Sequence, residues 1–291
     1  MSSRKTAMTK TGKVLEAVYK KYNHRDLIGD DPLRFIYQYS DPADMEIVGF
    51  LSSALAYGRV QQIGKSLTKL YDIMSPSPAD FIAGFNKSRR KSLAGFKHRF
   101  NTGEDIADLC ELLKKVLRKH QSLEKFFLLG YNESDKNIIP ALSMFCDQLC
   151  DMYARSHDGK VSRGLMYLLA SPSRKSACKR LNLFLRWMVR SDDVDPGLWK
   201  SVDQSKLIVP VDVHMARLCK ILGFYCRKTV SLATAVEITE NFAKILPADP
   251  VKYDFALSRI GIIESCSGKI NDRCQLCQLL DYCMKLQQEK Q

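Results

Sequence analysis

The chain has 291 residues, 45% of them hydrophobic, enough for one large or two modest domains with a real core. Lysine and arginine outnumber aspartate and glutamate 45 to 32, a formal charge of +13, which favours a polyanionic partner, with nucleic acid ahead of an anionic membrane surface. No run approaches the roughly 18 apolar residues of a membrane span, and no apolar stretch of the secretory kind follows the basic start MSSRKTAMTK, so a cytoplasmic protein is expected, nucleoid-associated in a bacterium.

Apolar residues recur at helical spacing nearly everywhere and sustained period-two alternation is absent, so the expected fold class is all-α with about a dozen helices. The first clear element, Ile47 to Tyr57, is apolar on almost every helical face, which predicts a central helix buried on several sides. It ends in AYGRV, where Gly58 stops the helix. A junction there would present Tyr57 and Arg59 to a ligand; core packing plus an ordinary turn is the other reading. A helix over Gln61–Ile73 follows, and Ser75-Pro76-Ser77-Pro78 breaks the chain after it. From Phe85 to Phe100, FNKSRRKSLAGFKHRF interleaves Lys87, Arg89, Arg90, Lys91, Lys97, His98 and Arg99 with three phenylalanines. That pattern suits phosphate contact and base stacking, and equally a solvated loop anchored by its aromatics.

The stretch SPSRKSACKRLNLFLRWMVR, Ser171 to Arg190, is more specific. Ser173 is a candidate helix cap, and the amides behind it, with Arg174, Lys175 and Arg180 near, would form an anion-binding helix start. Lys179 then falls about one and a half turns in, where cationic neighbours and partial desolvation would favour the neutral, nucleophilic amine. Most helical lysines are solvated surface instead. Arg186 and Trp187, about two turns on, either line a pocket or, in the case of Trp187, pack in the core. Asp192 to Gly197 reads as a charged turn around Pro196.

In LIVPVDVHMARLCKILGF, residues 207–224, Asp212 follows an apolar run at the expected start of a helix carrying Met215, Leu218, Cys219 and Leu222 on one face. Asp is a common N-cap, and the same amides and dipole hold a carboxylate ionised for chemistry. His214, two residues on, is placed for phosphate or for the cap, with a core or surface role favoured over catalysis. Another helix runs through Ala235, Ile238, Phe242 and Ile245, and Asp249-Pro250 pairs a cap with proline at the first position of a helix reaching about Gly261.

Of ten cysteines, Cys110, Cys146, Cys150, Cys178, Cys219 and Cys226 are scattered and read as small, reduced core residues. Cys266, Cys274, Cys277 and Cys283 instead follow C-x7-C-x2-C-x5-C, in a segment too polar for core. Four thiolates so close can wrap one metal centre. Zinc and a cubane iron–sulfur cluster both accept four thiolates, and spacing alone does not choose between them.

Together these features resemble the helix-hairpin-helix DNA glycosylase superfamily. The resemblance rests on VPVDVHMARL, the helices through LPADPVKYDFALSRIGI and the cysteine cluster, with GFLSSALAYGRV as a weaker echo upstream. The cysteines are similar to the [4Fe-4S] loop of endonuclease III, with one extra residue in the first gap. The segment from Lys179 to Asp212 looks like that of archaeal 8-oxoguanine DNA glycosylases. The family's glycine-rich hairpin is missing, and LASPSRK stands in its place, so Lys175 competes with Lys179; the 33-residue interval from Lys179 to Asp212 favours Lys179.

The resemblance implies a two-domain helical fold: a helical barrel over 41–190, and a domain built from 1–40 plus 191–291 that carries the cysteine loop. It further implies a monomeric base-excision glycosylase and lyase acting on double-stranded DNA with a damaged, for instance oxidised, base. Lys179 would be the Schiff-base nucleophile and Asp212 its electrostatic partner, with a [4Fe-4S] cluster, or zinc, on the four cysteines. Tyr57, Arg59, Arg174, Lys175, Arg180, Arg186 and His214 are the candidate DNA contacts. A catalytically silent nucleic-acid binder of the same fold and a zinc-stabilised helical adaptor remain the competing readings.

Overall fold

The structure, a computed structural model, describes residues 9–174 and 177–288, with side chains as far as residue 284. It is all-α apart from one two-residue-per-strand hairpin among the described residues. Helix α1 (Lys10–Tyr22) starts at Thr9, whose side chain accepts from the Gly12 amide. Two 3-10 segments, Arg25–Ile28 and Pro32–Gln38, lead into α2 (Pro42–Ala54), where Asp41 caps the helix and Pro42 takes the first turn. Every residue of α2 from Glu46 to Ala54 is buried, because α2 packs against the second 3-10 segment on one side and a later helix on the other.

Next come α3 (Val60–Met74), α4 (Pro78–Ala83) and α5 (Lys87–Ser92), then the hairpin of β1 (Lys97–His98) and β2 (Asn101–Thr102). Thr102 and Asp105 form a capping box that opens α6 (Gly103–His120). α7 (Leu123–Phe127), α8 (Ile139–Ala154) and α9 (Arg163–Leu168) pack around α6. α10 (Lys179–Val189) is the helix that covers α2. The chain closes with α11 (Val213–Ile221), α12 (Leu232–Ala243), α13 (Asp254–Ile262) and α14 (Leu280–Gln288). α13 packs on both α11 and α1. The two ends of the chain are further joined by Tyr22 to Glu264 (2.7 Å) and Lys252 to Glu16 (2.6 Å).

A buried ion network fastens α10 to α13. Arg186, 3% exposed, pairs with Asp195 at 3.1 Å and with Asp254. Arg190 meets Asp192 at 2.9 Å, Asp195 at 2.6 Å and Asp249 at 3.0 Å, and Asp192 also accepts from Tyr19 of α1. Four carboxylates thus face two guanidinium groups away from water. Burial pushes the Asp254 carboxyl up to about 6 even with Arg186 pulling the other way, and it raises Asp195 as well.

The network corrects two expectations. Arg186 is no DNA contact, because its donors are spent on buried carboxylates. Asp249 caps no helix: its carboxylate belongs to Arg190, and helix begins only at Asp254. Trp187 is core, with none of its surface exposed. Among the scattered cysteines, Cys226 is exposed rather than core.

Candidate active site

α10 starts later than Ser173 would predict. Pro172–Arg174 forms a single 3-10 turn, and the Ser173 hydroxyl donates to Asp147 of α8 at 3.2 Å instead of capping. The N-cap position falls to Cys178, held in the left-handed region (φ 51°), whose thiol donates to the Ala170 carbonyl at 3.1 Å. Lys179 is therefore the first helical residue, not one and a half turns in. The residue is half-buried, and its amine has no hydrogen bond or ion pair among the described residues. Lys175 lies outside those residues.

Arg180 secures this first turn. Its guanidinium donates to the carbonyls of Ala54 and Tyr167, and lies 5.0 Å and 4.6 Å from the ring centroids of Tyr57 and Tyr167. Burial holds its pKa below the usual arginine value. Tyr57 in turn donates to Asn101 Oδ1 at 2.7 Å, and burial pushes its hydroxyl up to about 12.

Asp212 is the N-cap of α11. Its Oδ1 accepts from the amides of His214 (2.9 Å) and Met215 (2.8 Å), so that Oδ2 makes no hydrogen bond among the described residues. Lys179 and Asp212 line one cavity of about 1080 Å³, together with Tyr57, Arg180, His214 and Arg259. Apolar walls come from Ile28, Ile63, Leu181, Ile262 and Ile263. A lysine, a part-engaged carboxylate and an apolar enclosure line one concave site, a set of groups that suits covalent chemistry at a carbon centre.

No motif announces Arg259, or the Asp26–Pro32 segment that also lines the cavity. Arg259 donates to the Leu27 carbonyl and to Asp31 Oδ2, both at 3.1 Å, and so straps that segment to α13. His214 packs against Gly261 on α13: a Cβ there would lie 2.3 Å from His214 Nδ1, a buried atom with no hydrogen-bond partner among the described residues. Gly→Ala in a helix normally stabilises by up to ~1 kcal/mol. Here the clash reverses the sign, and Gly261→Ala is expected to cost about 1–3 kcal/mol in urea denaturation, through overpacking.

The other basic candidates fall into two groups. Arg59 stands exposed at the start of α3 and is not part of the cavity wall, while Arg174 is exposed with its guanidinium 3.9 Å from the Cys150 sulfur. In the basic stretch, Arg89 caps α4 through the carbonyls of Asp80 and Phe81, both at 2.7 Å. Arg90 pairs with Glu104 and Asp108, and His98 is buried on Ser66. Lys87, Lys91, Lys97 and Arg99 remain exposed.

Cys266, Cys274, Cys277 and Cys283 are all half-buried around a 3-10 turn, Asp272–Leu276, and α14. Burial raises the thiols of Cys277 and Cys283, the latter to about 11, and the neighbouring sulfurs of the set add to it. Mutual repulsion of this kind is what a bound cation relieves, so the donor set fits a soft metal centre in kind. Among the described residues, no three His, Cys, Asp or Glu side chains are drawn into a metal-holding group. Arg217 of α11 donates to the Cys266 carbonyl and ties the segment to the helix that Asp212 caps.

A family model described as Protein of unknown function (DUF2400) matches residues 31–263. No curated protein matches the chain, and no solved structure does. No helix among the described residues is long and apolar enough to cross a membrane.

Proposed function

The chain belongs to the family described as Protein of unknown function (DUF2400), and we propose that it is a DNA base-excision glycosylase with lyase activity. The observation that carries this reading is the meeting of Lys179 and Asp212, from separate helices, on one cavity large enough for a nucleobase. The net charge of +13 supports a DNA substrate. The packing of α1 on α13 supports the plan of a barrel over 41–190 beside a domain built from both chain ends.

A damaged base turned out of the duplex enters the cavity, its ring covered by the apolar wall. Asp212 takes a proton from the Lys179 ammonium and faces the positive charge that grows on the sugar. The Lys179 nitrogen attacks C1′, and the bond from C1′ to the base breaks, the base leaving with the electron pair and then a proton. Opening of the sugar ring gives the imine, and loss of the C2′ proton expels the 3′ phosphate by β-elimination. Cys266, Cys274, Cys277 and Cys283 would hold a [4Fe-4S] cluster or zinc. A closed four-thiolate centre supplies folding free energy to the C-terminal segment.

The test is borohydride trapping on duplexes carrying 8-oxoguanine, an oxidised pyrimidine or an abasic site. A one-to-one covalent adduct is expected on at least one of them. DNA binding with no adduct on any lesion points to a silent binder, and no DNA binding at all points to an adaptor. Purified protein that is brown and bleaches on reduction carries the cluster; a colourless protein with stoichiometric zinc does not.

A further inference from the structure

The β1–β2 hairpin has a buried base and an exposed tip. His98 and Asn101, paired across it, are both 0% exposed. His98 Nδ1 bonds Ser66 Oγ at 2.9 Å, Asn101 Nδ2 donates to the Gly164 carbonyl at 3.1 Å, and the Tyr57 hydroxyl is shared between the His98 carbonyl and Asn101 Oδ1. The two-residue turn between them is Arg99 and Phe100. Arg99 holds φ 51°, a conformation that glycine or asparagine usually takes in such turns. A bulky residue stays there only where its surroundings over-determine it.

That rigid mount holds Phe100 out in solvent, 66% exposed. Its ring lies parallel to Tyr57 (2°, centroids 6.3 Å apart) and edge-on to Tyr167 at 5.7 Å. The Arg99 guanidinium lies 5.3 Å from the Phe100 ring centroid, and its stem crosses Gly58 so closely that a Cβ there would sit 2.8 Å from Cδ. Tyr57 and Gly58 line the cavity that holds Lys179. The exposed ring therefore stands beside that cavity with the exposed Arg99 at its edge, and the hairpin itself contains no carboxylate.

We propose that Phe100 is a stacking platform for an unpaired nucleobase beside the cavity, with Arg99 set for a phosphate of the same strand. A flat apolar ring with a guanidinium at its edge offers the two contacts that a nucleotide needs, and stacking is indifferent to base identity. The inference rests on the nucleic-acid reading above and extends it to a surface outside the cavity. An apolar protein partner would leave the Arg99 guanidinium, held against the ring, without a role.

The test uses the full-length protein and a duplex in which 2-aminopurine faces a tetrahydrofuran abasic-site analogue, so that the base is unpaired and no cleavage is needed. Wild-type binding is expected to quench the fluorescence. Phe100→Ala should bind roughly tenfold more weakly and lose the quench, whereas Phe100→Trp keeps both. Because the ring is exposed, the thermal melt of Phe100→Ala should match wild type. The platform is overturned if Phe100→Ala binds and quenches like wild type. It is equally overturned if wild type quenches no DNA, which would leave a protein partner for the ring. Borohydride trapping on the same proteins separates the two ideas: trapping with an unchanged Phe100→Ala quench removes the platform alone, and a lost quench without trapping on any lesion removes the glycosylase alone.

Discussion

Lys179→Gln is expected to abolish the borohydride-trapped adduct on whichever lesion the wild-type protein accepts, and to slow strand cleavage by roughly 10³-fold or more, with DNA affinity nearly kept. The size of the effect follows from the site: without the amine no other unpaired nitrogen nucleophile stands at the first turn of α10 among the described residues, since Arg180 is spent on two carbonyls and two tyrosine rings. Lys175→Gln is the necessary control. An adduct that survives in Lys179→Gln and vanishes in Lys175→Gln would transfer the role to Lys175. Asp212→Asn keeps an oxygen for the His214 and Met215 amides while removing the charge, so helix α11 should stand and the loss should appear in turnover.

Arg190→Met is expected to cost about 3–5 kcal/mol of stability, because it strands Asp192 and Asp249 without their cation and leaves Asp195 with Arg186 alone. Equilibrium urea denaturation measures it. The part of the network's pH dependence that Asp254 contributes has a definite sign. The Asp254 carboxyl is raised in the folded protein from its ordinary 3.8 to about 6, so the fold binds that proton more tightly than the unfolded chain does. Its contribution is fully present below about pH 3.8 and is lost as pH rises through about 6. Denaturation curves across this window should show stability declining with pH on this account, and Asp254→Asn should remove that part of the slope. In Arg190→Met the stranded carboxylates should make the decline steeper.

What the amino-acid pattern discloses is local. α2 and α3 are legible because a continuous apolar run and a clean 3.6-residue stripe need no partner to be recognised, and the all-α class follows from the same periodicity. The start of α10 is not legible: Ser173 has the chemistry of a cap, but Asp147 of α8 takes its hydroxyl. Asp249-Pro250 fails as a helix start for the same kind of reason, since Arg190, 59 residues away in sequence, claims the carboxylate. Arg186 looks like a basic residue on a basic helix until Asp195 and Asp254 fold over it. The hairpin is invisible because two residues per strand give alternation nothing to repeat. Of the cavity, Lys179, Asp212, Tyr57, Arg180 and His214 could be singled out from motifs, whereas Arg259 and the Asp26–Pro32 wall could not, because only the tertiary strap brings them there.

That strap separates two properties along the chain. The amine and the carboxylate sit on α10 and α11, but part of the wall that limits what fits beside them is a short stretch almost at the other end, held by one arginine fork. Substitutions between Asp26 and Asp30 would reshape the enclosure without moving either reactive group. Selectivity and reactivity can therefore drift independently within one such scaffold.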